Sequence, residues 1–412
     1  MEILKKVFRQ TGFQVIGKII TTFSSILILG LITRRFGETG TGILTLALTY
    51  LAFFSIIVDF GINAHLLPRF LKNDFSDEWR KLFGLRLFLS LVLIIVSLTG
   101  ILVWPSDELL FKQLVFIGAI FAILEPAIFI TANIIFQAKL KYDLSTIAWS
   151  LGSLGSLGLI YIFTSFGKGL LEVMVGYVVG WVLMSVLALF FVSKFVKNIS
   201  PIFDGQYILK VIRDSWPISL TLILNVLYFR VDTFILSLNK SFAEVGVYNL
   251  AYQVFQSSLV LPTFIMNGFY PILLKEFSDS WGKFIELLKR STLMMLGISL
   301  LSLVGVFFLS PLIVSILSGG TGFEGSDEVL QILAFSYPAF FVSSLLMWVM
   351  VVLKKYREMV LIYLIGLLVN FSLNFIYIPQ YSYVAAAIIT GVSEYLILIL
   401  QVIILAKEFR KR

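Results

Sequence analysis

Apolar runs about twenty residues long recur from one end of this chain to the other, separated by short polar stretches that collect Lys and Arg. They fall at 12–33, 41–66, 82–103, 111–137, 145–166, 169–193, 214–238, 245–272, 287–309, 328–353, 358–378 and 382–406. A helix rises about 1.5 Å per residue, so each run is long enough to cross a hydrocarbon layer about 30 Å thick. The pattern predicts an all-α polytopic membrane protein of about twelve transmembrane helices. The first run follows Lys5, Lys6 and Arg9, but it is longer than the apolar region of a signal peptide and lacks a small-residue cleavage site. It reads as a retained span.

Polar positions inside the runs are patterned as well. Thr221, Asn225, Tyr228 and Asp232 form a stripe on the seventh span, and Asn249, Gln253 and Gln256 form one on the eighth. At about 100° per residue the spacing i, i+4, i+7 keeps the three amides within about 60° of one another. A shift of 204 residues lays Gly42-Ile43-Leu44-Thr45-Leu46-Ala47 on Gly246-Val247-Tyr248-Asn249-Leu250-Ala251 and pairs Thr49 with Gln253. Six spans per half is an even number, so the copies share an orientation and are expected to form two six-helix lobes related by a pseudo-twofold along the membrane normal. The expected division is an N-terminal lobe at 1–200, a polar linker at 201–213 and a C-terminal lobe at 214–412, with a wet cavity lined by spans 1, 2, 7 and 8.

Charge supplies orientation. With both termini inside, 24 Lys and Arg face the cytoplasm and only Arg34, Arg35, Lys112, Lys168 and Lys240 face out, while Lys18, Arg86 and Arg230 lie within spans. That bias predicts a multi-pass protein of the cytoplasmic (inner) membrane with both termini cytoplasmic. The net charge of +8 is therefore topological and does not point to nucleic acid. The absence of cysteine excludes disulfides, thiolate metal sites and cysteine nucleophiles, and the lone His65 leaves no histidine metal centre or triad. Gly12 to Lys18 spells G-x-x-x-x-G-K, yet Ile19 stands where a nucleotide loop needs Ser or Thr, so no nucleotide, metal or cofactor is expected.

Intramembrane charges are the candidates for function, since a charge at the centre of a span costs about 2.5 to 3.5 kcal/mol on insertion scales. Lys18 heads a stripe of Gln14, Lys18, Thr21 and Ser25, and Arg86 sits at a similar depth on span 3. Both are placed for first contact with an anionic cargo; the plain reading of each is a snorkelling side chain. Arg230 and Asp232 are two residues apart, about 200° around a helix, so they point to nearly opposite sides rather than at each other. Which of them faces the cavity is open at this stage. Glu125, followed by Pro126, and Glu394 are the carboxylates nearest the bilayer midplane and are candidates for proton or sodium coupling, with Asp232 and Asp59 beside them. The plain reading of a midplane carboxyl is one hydrogen-bonded to a neighbouring helix.

The segments W-P-I-S-L (216–220), R-V-D-T-F-I-L (230–236), V-G-V-Y-N-L-A (245–251) and the later Leu261-Pro262, with D-F-G-I-N (59–63) ending span 2, resemble the polysaccharide biosynthesis flippase family. That family belongs to the multidrug/oligosaccharidyl-lipid/polysaccharide exporter superfamily. The resemblance covers essentially the whole chain in length, span number and repeat, while its degenerate motifs mark the family rather than the cargo. It implies two lobes forming a V that opens alternately to each side. The implied cargo is an undecaprenyl-pyrophosphate-linked oligosaccharide, such as an O-antigen unit of lipopolysaccharide, handed on to polysaccharide polymerase machinery. A pyrophosphate needs cations in a hydrated cleft, the role open to Lys18, Arg86 and Arg230 beside the amides Asn225, Asn249, Gln253 and Gln256. Nothing in the chain hydrolyses nucleotide, so an antiporter driven by H+ or Na+ is expected. Multidrug exporters share the span count and stay open as an alternative. A membrane O-antigen polymerase or ligase is a third reading, disfavoured because the outward loops, about five to twenty residues long, gather no acids, bases and arginines.

Overall fold

A computed structural model of the chain describes residues 2–59, 61–70, 75–105 and 108–411. The side chains of 2–11, 64, 65, 68, 217–219, 221, 222, 225, 226, 267, 268 and 271 lie outside the described set. Every regular element described is helical: α1 (Glu2–Asp59), α2 (Ile62–Phe70), α3 (Ser76–Leu102), α4 (Leu109–Ala138), α5 (Tyr142–Ser165), α6 (Leu170–Val192), α7 (Gly205–Asn239), α8 (Phe242–Ser258), α9 (Val260–Asp279), α10 (Trp281–Ser318), α11 (Ser326–Ala334), α12 (Tyr337–Val352) and α13 (Tyr356–Phe409). Seven of the described helices are long and apolar enough to cross a membrane, and α11 with α12, bent by 44°, makes an eighth. Two of the seven are double. α1 is 58 residues long and breaks at Gly37, where φ 64° and ψ −164° lie in a region open to glycine. α13 is 54 residues long and breaks at Ser382, with φ 52° and ψ −139°. With α7 and the consecutive pair α8–α9, these give the twelve crossings expected from the apolar runs. The bend between α11 and α12 falls beside Pro338, whose ring cannot continue the hydrogen-bond ladder.

The chain divides into two compact units, Met1–Phe36 with Ile43–Val226, and Gly37–Gly42 with Leu227–Arg412. In the first, α4 packs on α3 and α6, and α6 packs on α5. Small residues set the α5–α6 approach: a Cβ on Gly180 would come within 1.8 Å of Ser156 Oγ, and one on Gly152 within 2.8 Å of the Gly180 carbonyl. Ile62, Phe70, Trp79, Phe83, Ile135 and Val192 build an apolar core where α2, α3, α4 and α6 converge, and Trp79 donates its indole N–H to the Thr131 carbonyl at 2.9 Å.

The connector after α6 is part of this unit. The Ile202 amide donates to the Arg80 carbonyl at 3.0 Å, Arg80 Nε donates to the Ser200 carbonyl at 2.9 Å, and Lys81 pairs with Asp204 at 2.8 Å. A Cβ on Gly84 would sit 2.1 Å from the Ile202 carbonyl oxygen, so only glycine lets this strand lie against α3. Lys81 holds the Asp204 carboxyl below the usual carboxylate range.

In the second unit α12 packs on α9, α10 and α13, while α11 packs on α8, α10 and α13. The internal repeat reappears here as a reciprocal contact. A Cβ on Gly42 would meet the Phe242 carbonyl oxygen at 1.8 Å, and one on Gly246 would meet the Glu38 carbonyl oxygen at 2.0 Å. The 204-residue shift pairs Gly42 with Gly246 and Glu38 with Phe242, so each partner does to the other what is done to it.

Candidate cargo and coupling sites

α7 carries the two charges that the sequence could not orient, and the fold gives them different partners on α8. Asp232 is buried, 2% exposed, and looks into the second unit. Its carboxylate accepts hydrogen bonds from the Tyr248 hydroxyl of α8, from the Thr233 amide at 2.6 Å and, at 3.5 Å, from Thr390 Oγ1 of α13. Arg230 is half-buried. One guanidinium nitrogen donates to Gln256 Oε1 at 3.1 Å, and the group lies over the ring of Tyr252, with Cζ 5.8 Å from its centroid. Both partners are neutral, and no carboxylate pairs with Arg230 among the described residues.

The amide stripe of the eighth span is divided between these two groups. Gln256 goes to Arg230. Asn249, 4% exposed, lies on the Asp232 side, where Thr233 Oγ1 is 3.5 Å from its Oδ1. Gln253 is half-buried between them along α8, and its backbone carbonyl accepts from Ser257 Oγ at 2.7 Å. Asn225 and Thr221 lie outside the described side chains.

Glu394 is buried in the same unit, 4% exposed, and accepts from the Tyr228 hydroxyl at 3.0 Å and from the Ser343 hydroxyl. Beside it on α13, Asn370 donates to Ser393 Oγ at 3.1 Å and accepts from Asn374 at 2.9 Å. The second unit therefore contains separate buried polar groups on α7, α8, α12 and α13, around Asp232, around Glu394 and around Asn370.

Two candidates of the first unit prove to be partners. Arg86 is completely buried, and its guanidinium donates to Asp59 Oδ1 at 3.3 Å, to Asn63 Oδ1 at 2.9 Å and to Thr131 Oγ1 at 3.2 Å. It does not snorkel, and in this conformation a cargo phosphate cannot reach it. The physical reason is that the end of α1 supplies an acid, α2 an amide and α4 a hydroxyl, which together offset the cost of removing the cation from water. Asp59 is spent on the same pair.

Lys18 is half-buried on α1, with its ammonium 5.6 Å from the centroid of the Trp149 ring on α5. α1 and α5 approach closely here, since a Cβ on Gly17 would meet Thr146 Cγ2 at 2.5 Å. No carboxylate pairs with Lys18 among the described residues. The neighbouring hydroxyls of its stripe are turned onto their own helix: Thr21 donates to the Lys18 carbonyl and Ser25 to the Thr21 carbonyl. Glu125, half-buried on α4, has no hydrogen-bond partner among the described residues, and α4 runs through Pro126 as one continuous helix.

Tyr248, Tyr252, Thr390 and Ser343 were not singled out from the sequence. The available signal was the pair of tyrosines at 248 and 252, one helical turn apart and interleaved with the polar stripe of the eighth span.

Residues 7–277, well over half of the chain, match the family described as polysaccharide biosynthesis protein. The chain belongs to that family. Residues 217–376 of this polysaccharide biosynthesis protein also match the MatE family. Among solved structures, it is similar to a lipid II flippase MurJ in an inward closed conformation, with TM-score 0.79 and 15% identity over 97% of this chain and 87% of that one. It is likewise similar to an inward-facing multidrug resistance MATE family transporter of the MOP superfamily, with TM-score 0.76 and 11% identity over 92% of each chain. A third is a MOP superfamily transporter from Pyrococcus furiosus, titled for the reverse polarity of its binding pocket, with TM-score 0.63 and 13% identity over 98% of this chain and 96% of that one. At these identities the likeness is one of fold. No curated protein matches the sequence. Family and fold together make the chain a multi-pass helical member of the polysaccharide biosynthesis protein family.

Proposed function

We propose that the protein is a flippase that moves an undecaprenyl-pyrophosphate-linked oligosaccharide, the repeat unit of an O-antigen or other surface polysaccharide, across the cytoplasmic membrane by alternating access. The observation that carries this reading is Arg230: an intramembrane cation held by an amide and an aromatic ring, with its charge left for an external anion. Lys18, also held by a ring rather than a carboxylate, is the second cargo cation. Arg86 and Asp59 act as a structural pair inside the first unit. Arg230, and not Asp232, is the member of the α7 pair that meets cargo.

Asp232, Glu394 and Glu125 are the groups through which H+ or Na+ drives the exchange. Both termini lie in the cytoplasm, as the distribution of Lys and Arg requires. The product is then available to polysaccharide polymerase machinery on the far face. A multidrug exporter is the second reading, supported by the MatE match over residues 217–376; it predicts lipophilic cations as cargo, which Lys18 and Arg230 would repel.

The deciding experiment reconstitutes the full chain in vesicles with a fluorescent undecaprenyl-pyrophosphate oligosaccharide and measures its transfer between leaflets. Transfer that depends on Arg230 supports the flippase. Absence of transfer, together with efflux of a lipophilic cation such as ethidium, replaces it with the exporter.

A further inference from the structure

Arg230 and Asp232 form no ion pair with each other, yet α8 touches both. The Tyr248 hydroxyl donates to Asp232. One turn further along α8, the ring of Tyr252 lies under the Arg230 guanidinium, and its hydroxyl donates to the Phe229 carbonyl of α7 at 2.9 Å. The two tyrosine rings are stacked, with centroids 5.4 Å apart and planes 28° from parallel. Tyr248 is 0% and Tyr252 2% exposed, so neither ring has free space in which to move alone. Three direct contacts therefore run from the carboxylate to the cation: Asp232 to Tyr248, Tyr248 to Tyr252, and Tyr252 to Arg230.

We infer that the stacked pair Tyr248 and Tyr252 couples the charge state of Asp232 to the placement of Arg230, making both tyrosines positioning residues for cargo. This rests on the proposed roles of Arg230 and Asp232. A phenol bonded to a carboxylate is held by a charge-assisted hydrogen bond. When Asp232 takes up a proton or a cation, that hold weakens. Tyr248 can settle elsewhere only if Tyr252 moves with it, and Tyr252 is one of the two groups that aim Arg230. The remaining hydrogen bonds of Asp232 come from neutral groups, the Thr233 amide and the Thr390 hydroxyl of α13; Arg230 also acts on the carboxylate through space, an effect that removing the Tyr252 ring leaves in place, and Glu394 is occupied separately by Tyr228 and Ser343. Linkage makes the effect reciprocal, so an anion on Arg230 alters the ion affinity of Asp232 by the same factor.

The test is a double-mutant cycle on the full chain in nanodiscs, with undecaprenyl pyrophosphate as the probe and its Kd as the readout. Asp232→Asn alone is expected to change Kd by about fivefold or more, the lower range of measured couplings. In a Tyr252→Leu background the same substitution is expected to change Kd less than about twofold, while Tyr252→Phe, which keeps the ring, retains the full response. Should Asp232→Asn not insert, Tyr248→Phe removes the same hydrogen bond and takes its place in the cycle. Equal changes with and without the Tyr252 ring, or no change from either Asp232→Asn or Tyr248→Phe, overturn the coupling while leaving the cargo reading intact. A wild-type chain that does not bind the probe, or an Arg230→Ala chain that binds it unchanged, overturns the cargo reading and the coupling with it.

Discussion

Arg86 and Arg230 are both arginines inside apolar helices, and the protein treats them in opposite ways. Arg86 is sealed among Asp59, Asn63 and Thr131, with a formal negative charge at hydrogen-bond distance. Arg230 has a single amide bond and a ring, and it is only half-buried. Residue type does not distinguish the two cations; the charge of their partners does. The midplane acids differ in another way: Glu394 accepts from the neutral hydroxyls of Tyr228 and Ser343, whereas Glu125 has no hydrogen-bond partner among the described residues.

The largest effect expected from this contrast is structural. Arg86→Leu strands Asp59 and should lower stability by about 3 kcal/mol, read as a drop in melting temperature and in yield from detergent. A variant that melts like wild type would put Arg86 back among the cargo ligands. Arg230→Ala should do the reverse: the melting temperature stays put while affinity for the lipid-linked cargo falls about 10- to 100-fold, the worth of lost hydrogen bonds to a charge. Lys18→Ala, which removes a cation held by a ring alone, should weaken cargo binding by about 3- to 10-fold in the same assay. Glu125→Gln should flatten the dependence of transport on pH or sodium while leaving cargo affinity within about twofold; an unchanged ion response would remove Glu125 from the mechanism.

The smallest effect concerns the connector. Lys81 depresses the pKa of Asp204, so the ion pair's contribution is fully present above the unfolded value of about 3.9 and is lost only as pH falls through the lower folded value. Proteolysis of the 193–204 segment should therefore be unchanged between pH 8 and 5. Asp204→Asn should accelerate it slightly at either pH.

Much of the fold was legible because the bilayer imposes it: apolar runs of membrane length, broken where Gly37 and the 353–356 turn allow, leave little choice of element. That Arg230 and Asp232 form no ion pair with each other followed from two residues of helical rotation. What could not be read were partners brought together across long sequence separations. Asp59 lies 27 residues from Arg86, and Tyr228 lies 166 residues from Glu394. A helix pattern gives the face a residue occupies but not the neighbour it meets there. The eighth-span stripe shows the limit, since Asn249 and Gln256 share a face by periodicity and yet meet different groups, the Thr233 hydroxyl and the Arg230 guanidinium, on successive turns of α7. Gly84 was equally silent, because nothing nearby in sequence shows that a distant strand will lie on it.

That strand has a practical side. The segment between α6 and α7 looks expendable in sequence, polar and free of regular structure, and it is where an engineer would splice in a fluorescent reporter or divide the gene for split expression. Residues 200–204 are the wrong place for either, because the insert would have to peel Ile202 from Arg80 and Gly84. The exposed stretch at Lys197 and Asn198, just ahead of the docked residues, is where foreign sequence can be added without disturbing the first unit.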